Sequence, residues 1–132
     1  MICLDNDVLD GFVRPNPDPD VISYLSNHQN DQWIVPSVVL YEFLSFYRPS
    51  MQNRRRQQLN QRVDKIASLD EDAASEAAKM EATLQNAGMS LDTADLLIAA
   101  IARDRGATLA TRNKNDFDKQ PIHQLMDVDI VQ

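Results

Sequence analysis

The chain has one cysteine, Cys3, so no internal disulfide can form. It has two histidines, His28 and His123, far apart and read as surface or loop residues, so no His/Cys zinc pattern is available. Its three glycines form no GxGxxG or Walker loop, and no Ser-His-Asp spacing stands out. No apolar run approaches the roughly 18 residues needed to cross a bilayer, so no membrane association is expected. Met1 passes straight into Ile2-Cys3-Leu4 with no basic segment and no cleavage site, so no secretory leader is expected and a reducing cytoplasm is. Lysine and arginine are outnumbered 13 to 20 by acids, and a net charge of −7 argues against polyanion binding over the whole surface.

What remains is an ordinary globular composition, 43% hydrophobic and 25% charged over 132 residues, fitting one domain spanning 1–132. The acids are lopsided, sixteen Asp against four Glu. Turn usage and adaptation to salt both fit that bias.

Ile2-Cys3-Leu4 reads as a short buried strand. Residues 14–20, RPNPDPD, form a loop, and Asp18 or Asp20 caps a helix over VISYLSNHQ. WIVPS is a second strand, followed by helix VVLYEFLSFY with Ser37 as its cap and Pro49 as its end. A polar, basic helix is expected over 51–67, and another over 70–87 between Asp70 and Gly88. Ser90 caps LDTADLLIAAIARDR, and Gly106 closes it. ATLAT is a third strand, NKNDFDKQ a loop, and VDIVQ a last strand. Strands separated by helices imply parallel β-α units and an α/β sandwich, with ligands at the carboxyl ends of the strands.

Asp5 and Asp7 fall at such an end, as do Thr111 and Asn113. Glu42 sits among Val38, Val39, Leu40, Phe43, Leu44, Phe46 and Tyr47, where a lone carboxylate is costly unless it is paired or holds a ligand. Asp95 enters the apolar run Leu96–Ala102, with Asp92 one turn earlier. Asp92 also suits the helix dipole, and Asp116 also suits a turn. If Asp5, Glu42, Asp95 and Asp116 converge, they repel, and a hard cation removes the conflict. Oxygen-only donors point to Mg²⁺ or Mn²⁺.

The strand ending in Asp5, the Glu42 helix, DLLIAAIA and LATRNKNDF together resemble the PIN-domain ribonucleases over essentially the whole chain. The resemblance is strongest to the toxins of VapBC-type toxin–antitoxin pairs. It implies a three-layer α/β/α sandwich with a short parallel central sheet. It also implies metal-dependent endoribonuclease chemistry with Asp5, Glu42, Asp95 and Asp116 as catalytic metal ligands. Thr111 and Asn113 match small polar residues beside the fourth acid, and Asp92 matches a variably acidic accessory position. Asp7 departs from the family's Asn or Ser. A cognate antitoxin and a homodimer are further implications, and the apolar residues around Leu40–Tyr47 are a candidate groove for a partner helix. Arg112 and Lys114, then Arg103 and Arg105, are the expected RNA contacts. Arg54, Arg55, Arg56, Arg62 and Lys65 form either a solvated helix face or a phosphate-binding one.

Three other readings compete. A receiver-like phosphoacceptor has similar length and order, but residues 51–87 supply no central strand ending in Asp. A DxD phosphatase shares only Asp5-Asn6-Asp7. A catalytically silent PIN module does not account for four retained acids.

Overall fold

A computed structural model describes residues 1–132. At its centre lies β1 (Ile2–Leu4), buried along its whole length. It is flanked by β2 (Trp33–Pro36) and β4 (Thr108–Thr111), with β3 (Lys65–Ala67) and β5 (Val128–Ile130) on the edges, giving the order β3-β2-β1-β4-β5. Every pairing is parallel; Cys3 lies opposite Ile34 on one side and Leu109 on the other. A parallel sheet buried on both faces needs near-continuous apolar strands. ICL, WIV and LA meet that need.

Each of the first four strands is followed by helix. The segment from β1 to β2 contains α1 (Asn6–Val13) and α2 (Pro19–Asn27), and β2 leads into α3 (Ser37–Ser45) and α4 (Pro49–Arg62). Between β3 and β4 come α5 (Glu71–Asn86) and α6 (Thr93–Asp104), and the short α7 (Lys114–Phe117) and α8 (Gln120–His123) precede β5. In α6 the run Ile98–Ala102 is fully buried, against β2, β4 and α5. Burying one such isoleucine contributes about 1.5–3 kcal/mol, and the alanines let the helix lie close to its neighbours. Gly88 and Gly106 end α5 and α6 at φ +77 and +67, the left-handed conformation that glycine reaches without strain. Gly11 has a different role. A Cβ there would stand 2.8 Å from Val21 Cγ2, so its missing side chain sets how closely α1 approaches α2.

Several local expectations change. The helix expected over 51–67 is α4, ending at Arg62, and Lys65–Ala67 is an edge strand. The chain breaks where Asp64 leaves the helix to accept the Trp33 N–H at 2.7 Å. Ser37 does not cap α3; its hydroxyl accepts the Leu69 N–H at 3.0 Å instead. Pro49 opens α4 rather than ending α3. Asp92, not Ser90, holds the cap position of α6, without a side-chain bond. The loop expected over NKNDFDKQ contains α7, capped by Asn113. Asp18 caps α2 and Asp70 caps α5 as expected, through the Asp20 and Ala73 N–H groups.

Candidate active site

Chain connections run from β1 toward β2 on one side, yet β4 enters on the other. The strand order therefore reverses beside β1, and a crevice opens at the carboxyl ends of β1 and β4. Asp5 leaves β1 into that crevice, and Thr111 ends β4 beside it. They are the buried polar residues of the fold, at 6% and 0% exposure.

Asp5 caps α1. Its Oδ1 accepts the Asn6 N–H at 2.7 Å, and its Oδ2 accepts the Thr111 hydroxyl at 2.8 Å. Thr111 Oγ1 in turn accepts the Asn113 N–H at 3.1 Å. Asn113 carries the chain of contacts to Asp116: its Nδ2 donates to Asp116 Oδ2 at 2.9 Å, and its Oδ1 accepts the Asp116 N–H at 3.3 Å. One connected set of hydrogen bonds thus orients two of the expected acids.

Asp7 has a definite contact as well. Its Oδ1 accepts the Arg112 N–H at 3.1 Å, joining the first turn of α1 to the loop after β4. Its charge reaches both Asp5 and Glu42. Glu42, half-buried on α3, faces this cluster, and Asp95 in the first turn of α6 feels Asp116, Asp92, Glu42 and Asp7. Asp92 itself is exposed and contributes charge from the rim.

The electrostatics follow from burial and crowding. Burial, then the neighbouring Asp95 and Glu42, push the Asp5 carboxyl up to about 6 against the pull of the Thr111 and Asn6 bonds. Asp7 is likewise pushed up to about 6, by burial and then by Asp5. Asp95 also stands at about 6, through burial and then Asp116. Glu42 is raised by burial and by Asp7.

The structure brings Asp5, Asp7, Glu42, Asp95 and Asp116 into one electrostatic cluster, although no three acidic or histidine side chains are placed closely enough to hold an ion as they stand. The donor set still fits a hard divalent cation. It is all oxygen, its charges are mutually repulsive, and four members, Asp5, Asp7, Glu42 and Asp95, have raised pKa values that a cation would lower. The side-chain oxygen of Asn6, next to Asp5, is buried and accepts no hydrogen bond.

The cations expected beside the site are already engaged. Arg112 Nη1 lies 2.7 Å from Asp18 Oδ2, and Lys114 Nζ lies 3.6 Å from Asp118. Arg103 pairs with Glu76, and Arg105 with Asp104 and Asp70. Desolvation pushes Asp18 up, but the Asp20 N–H and then Arg112 outweigh it and hold its carboxyl below the usual range. Asp18 was legible as a helix cap; its pairing with an arginine far along the chain had no local signal. The apolar residues of α3 divide differently from the groove expected there. Phe43 is buried and Leu40, Leu44 and Tyr47 pack on the core, whereas Tyr41 and Phe46 are 72% and 80% exposed.

Comparison with known proteins gives a consistent result. Residues 2–122 match the PIN domain family. Plasmid stability protein StbB of Pseudomonas syringae pv. tomato is 25% identical over 127 residues, covering 89% of this chain and 91% of that protein. Toxin FitB of Neisseria gonorrhoeae is 24% identical over 126 residues, with the same coverage. Among solved structures, VapBC2 from Rickettsia felis, bound to a promoter DNA fragment, superposes with a TM-score of 0.78 at 20% identity over 100% of both chains. That likeness supports the fold.

Proposed function

The chain belongs to the PIN-domain family, and from that premise we propose that it is a Mg²⁺- or Mn²⁺-dependent endoribonuclease, the toxin of a toxin–antitoxin pair acting in the cytoplasm. The observation that carries the reading is the convergence of five carboxylates at the β1–β4 switch point, braced by the Thr111–Asp5 and Asn113–Asp116 bonds. The similarity to a protein named as a toxin supports the biological role.

Asp5, Glu42, Asp95 and Asp116 would hold the cation. Bound there, a divalent ion supplies Lewis acidity and an activated water for phosphodiester hydrolysis. The chain's own groups do the positioning. Thr111 fixes the rotation of the Asp5 carboxylate, and Asn113 fixes that of Asp116. Asp7 ties Arg112 to α1, which sets the distance between the loop bearing Asp116 and the end of β1. Asp92 adds negative charge at the rim. The burial that raises Asp5 and Asp7 also limits water around the acids. The exposed Tyr41 and Phe46 side chains are apolar surface for a cognate antitoxin or a second copy of the chain.

Incubation of the protein with RNA in Mg²⁺ or Mn²⁺, with EDTA as control, tests the activity. Cleavage that EDTA stops and that Asp5→Asn abolishes, with the fold retained, is the expected result. Full activity in that variant overturns the assignment. Labelling of an aspartate by acetyl phosphate, without RNA cleavage, overturns the nuclease reading in favour of a phosphoacceptor.

A further inference from the structure

Arginines divide sharply in this molecule. Arg14, Arg103, Arg105 and Arg112 each stand within 4 Å of a carboxylate. The remaining five, Arg48, Arg54, Arg55, Arg56 and Arg62, form no ion pair, and all lie on or next to α4. Between Glu42 and Asp64 the chain contains no acid, so this stretch carries five uncompensated positive charges within a protein of net charge −7. Arg54 and Arg56 are exposed. Uncompensated guanidinium groups concentrated on one element mark an anion-binding surface rather than a structural one.

Two of these groups are held in place. The Arg55 guanidinium lies 4.8 Å from the centre of the Tyr47 ring, and that of Arg62 lies 4.3 Å from the centre of the Phe12 ring. Stacking fixes a guanidinium plane while leaving in-plane N–H groups for phosphate oxygens. The supporting rings belong to the segments that serve the acids. Phe12 is on α1, one and a half turns beyond Asp7, and Tyr47 follows the helix bearing Glu42. Gln52 ties α4 to the end of α3 through bonds to the Leu44 and Tyr47 carbonyls at 3.3 and 3.1 Å.

Between α1, α3 and α4 lies a cleft of about 280 Å³. It is at the small end of ligand pockets, roughly 300–1,000 Å³, which suits one planar ring system. Phe43, Tyr47 and Leu59 give it apolar walls, and Gln58 offers an amide at its edge. Arg55 also lines it, and its Nε is a buried donor without an acceptor. Unstacked bases of single-stranded RNA pair an aromatic face with a hydrogen-bonding edge. A carboxylate side chain would satisfy the charges but brings no aromatic face to the apolar walls of this cleft.

We propose that α4 is the RNA-docking element of this protein, with one unstacked base in the α1–α3–α4 cleft and single-stranded phosphates on Arg55 and Arg62, which share the cleft side of the helix, and on Arg54 and Arg56, which flank that side to left and right. This rests on the ribonuclease reading and adds to it a route by which a polyanion approaches an acidic site. Arg112 and Lys114 each share their charge with a carboxylate, Asp18 and Asp118, so they offer less attraction than the unpaired arginines of α4.

The test is fluorescence anisotropy with a 5′-fluorescein-labelled single-stranded 12-mer of adenosine and uridine, in EDTA, across KCl concentrations. Replacing Arg54, Arg55, Arg56 and Arg62 by glutamine should weaken binding at least tenfold. It should also flatten the slope of log affinity against log salt by about 3, at roughly 0.7 per lost contact. Should that variant fold poorly, Arg54→Gln/Arg56→Gln, which alters only exposed side chains, should flatten the slope by about 1.4. Lys79→Gln/Lys119→Gln removes two exposed, unpaired charges elsewhere and should leave affinity within twofold. Equal losses in the arginine and lysine variants overturn the proposal, as does displacement of the RNA by an equimolar polyglutamate peptide. If the wild type cleaves RNA with Mn²⁺ but the arginine variants bind it unchanged, only this docking surface fails. If the wild type neither binds nor cleaves RNA, the ribonuclease reading fails with it.

Discussion

Thr111 and Asp5 are 106 positions apart, yet the threonine hydroxyl donates to Asp5 Oδ2 at 2.8 Å in a fully buried contact. Thr111 Oγ1 itself accepts the Asn113 N–H at 3.1 Å. A single hydroxyl therefore uses both its donor and its acceptor capacity, and it links the end of β1 to the loop that carries Asp116. Thr111→Val keeps the shape and removes both bonds. A cost of about 1–3 kcal/mol in stability is expected from the unsatisfied buried groups, and Mn²⁺ affinity should weaken roughly 10–100-fold as the carboxylate loses its orientation. Thr111→Ser should lie near wild type. Titration calorimetry with Mn²⁺ reads the effect; equal affinities for Val and wild type would contradict the orienting role.

The raised carboxyls predict an inverted pH response. Asp5, Asp7 and Asp95 titrate near 6 in the folded chain, against about 3.9 for unfolded aspartate. Between those values the folded state binds more protons than the unfolded one, so stability is highest below about pH 4 for these groups and falls as pH rises through 6. In EDTA, Tm at pH 5 should exceed Tm at pH 7. Saturating Mn²⁺ at pH 7 should close much of that gap by offsetting the crowded charges. Thermal unfolding at pH 5, 6 and 7 checks this, and a Tm that climbs toward pH 7 without metal would count against a charge-crowded site.

Asp7 can be separated into its two contributions. Asp7→Asn retains an oxygen for the Arg112 N–H but removes the carboxylate that is raised by Asp5 and that in turn raises Glu42. Cleavage should stay within about tenfold of wild type, with a higher Mg²⁺ requirement and a smaller pH dependence of Tm. Asp7→Ala loses the hydrogen bond as well and should fall at least a further tenfold. Steady-state rates across a Mg²⁺ series distinguish the two. Identical behaviour of Asn and Ala would remove the bond to Arg112 from the account.

Gly11 tests the packing that holds α1, and with it Asp5 and Asp7, in place. An alanine there would put its Cβ 2.8 Å from Val21 Cγ2. Overpacking of this kind costs about 1–3 kcal/mol, measurable as a lower urea midpoint with unchanged slope. Combining Gly11→Ala with Val21→Ala should recover part of the loss in the α1–α2 contact, because the clashing methyl is gone.

Much of the fold is legible locally. ICL, WIV and TLA declare themselves as strands because both faces of a parallel sheet are buried, and α5 and α6 are bounded by Asp70, Gly88 and Gly106 through capping chemistry within a few residues. Lys65–Ala67 is not legible. An edge strand with an exposed lysine lacks the apolar run that marks a central one, and it follows a polar helix with no proline or glycine between them. The short α7 is hidden for a related reason, since one turn of helix built from Asn, Lys and Asp has the composition of a loop.

The candidate site divides along the same line. By itself the sequence determined which acids could matter, because a carboxylate at a strand end or at the start of an apolar helix conflicts with its surroundings. Tertiary structure alone decided what each group touches: Thr111 on Asp5, Arg112 N–H on Asp7, Asp18 on the Arg112 side chain, and α4 left with every unpaired arginine. Hydrogen bonds and ion pairs act over about 3–4 Å. Their partners here lie on segments about a hundred residues apart, and they meet only once β1 and β4 have been set side by side.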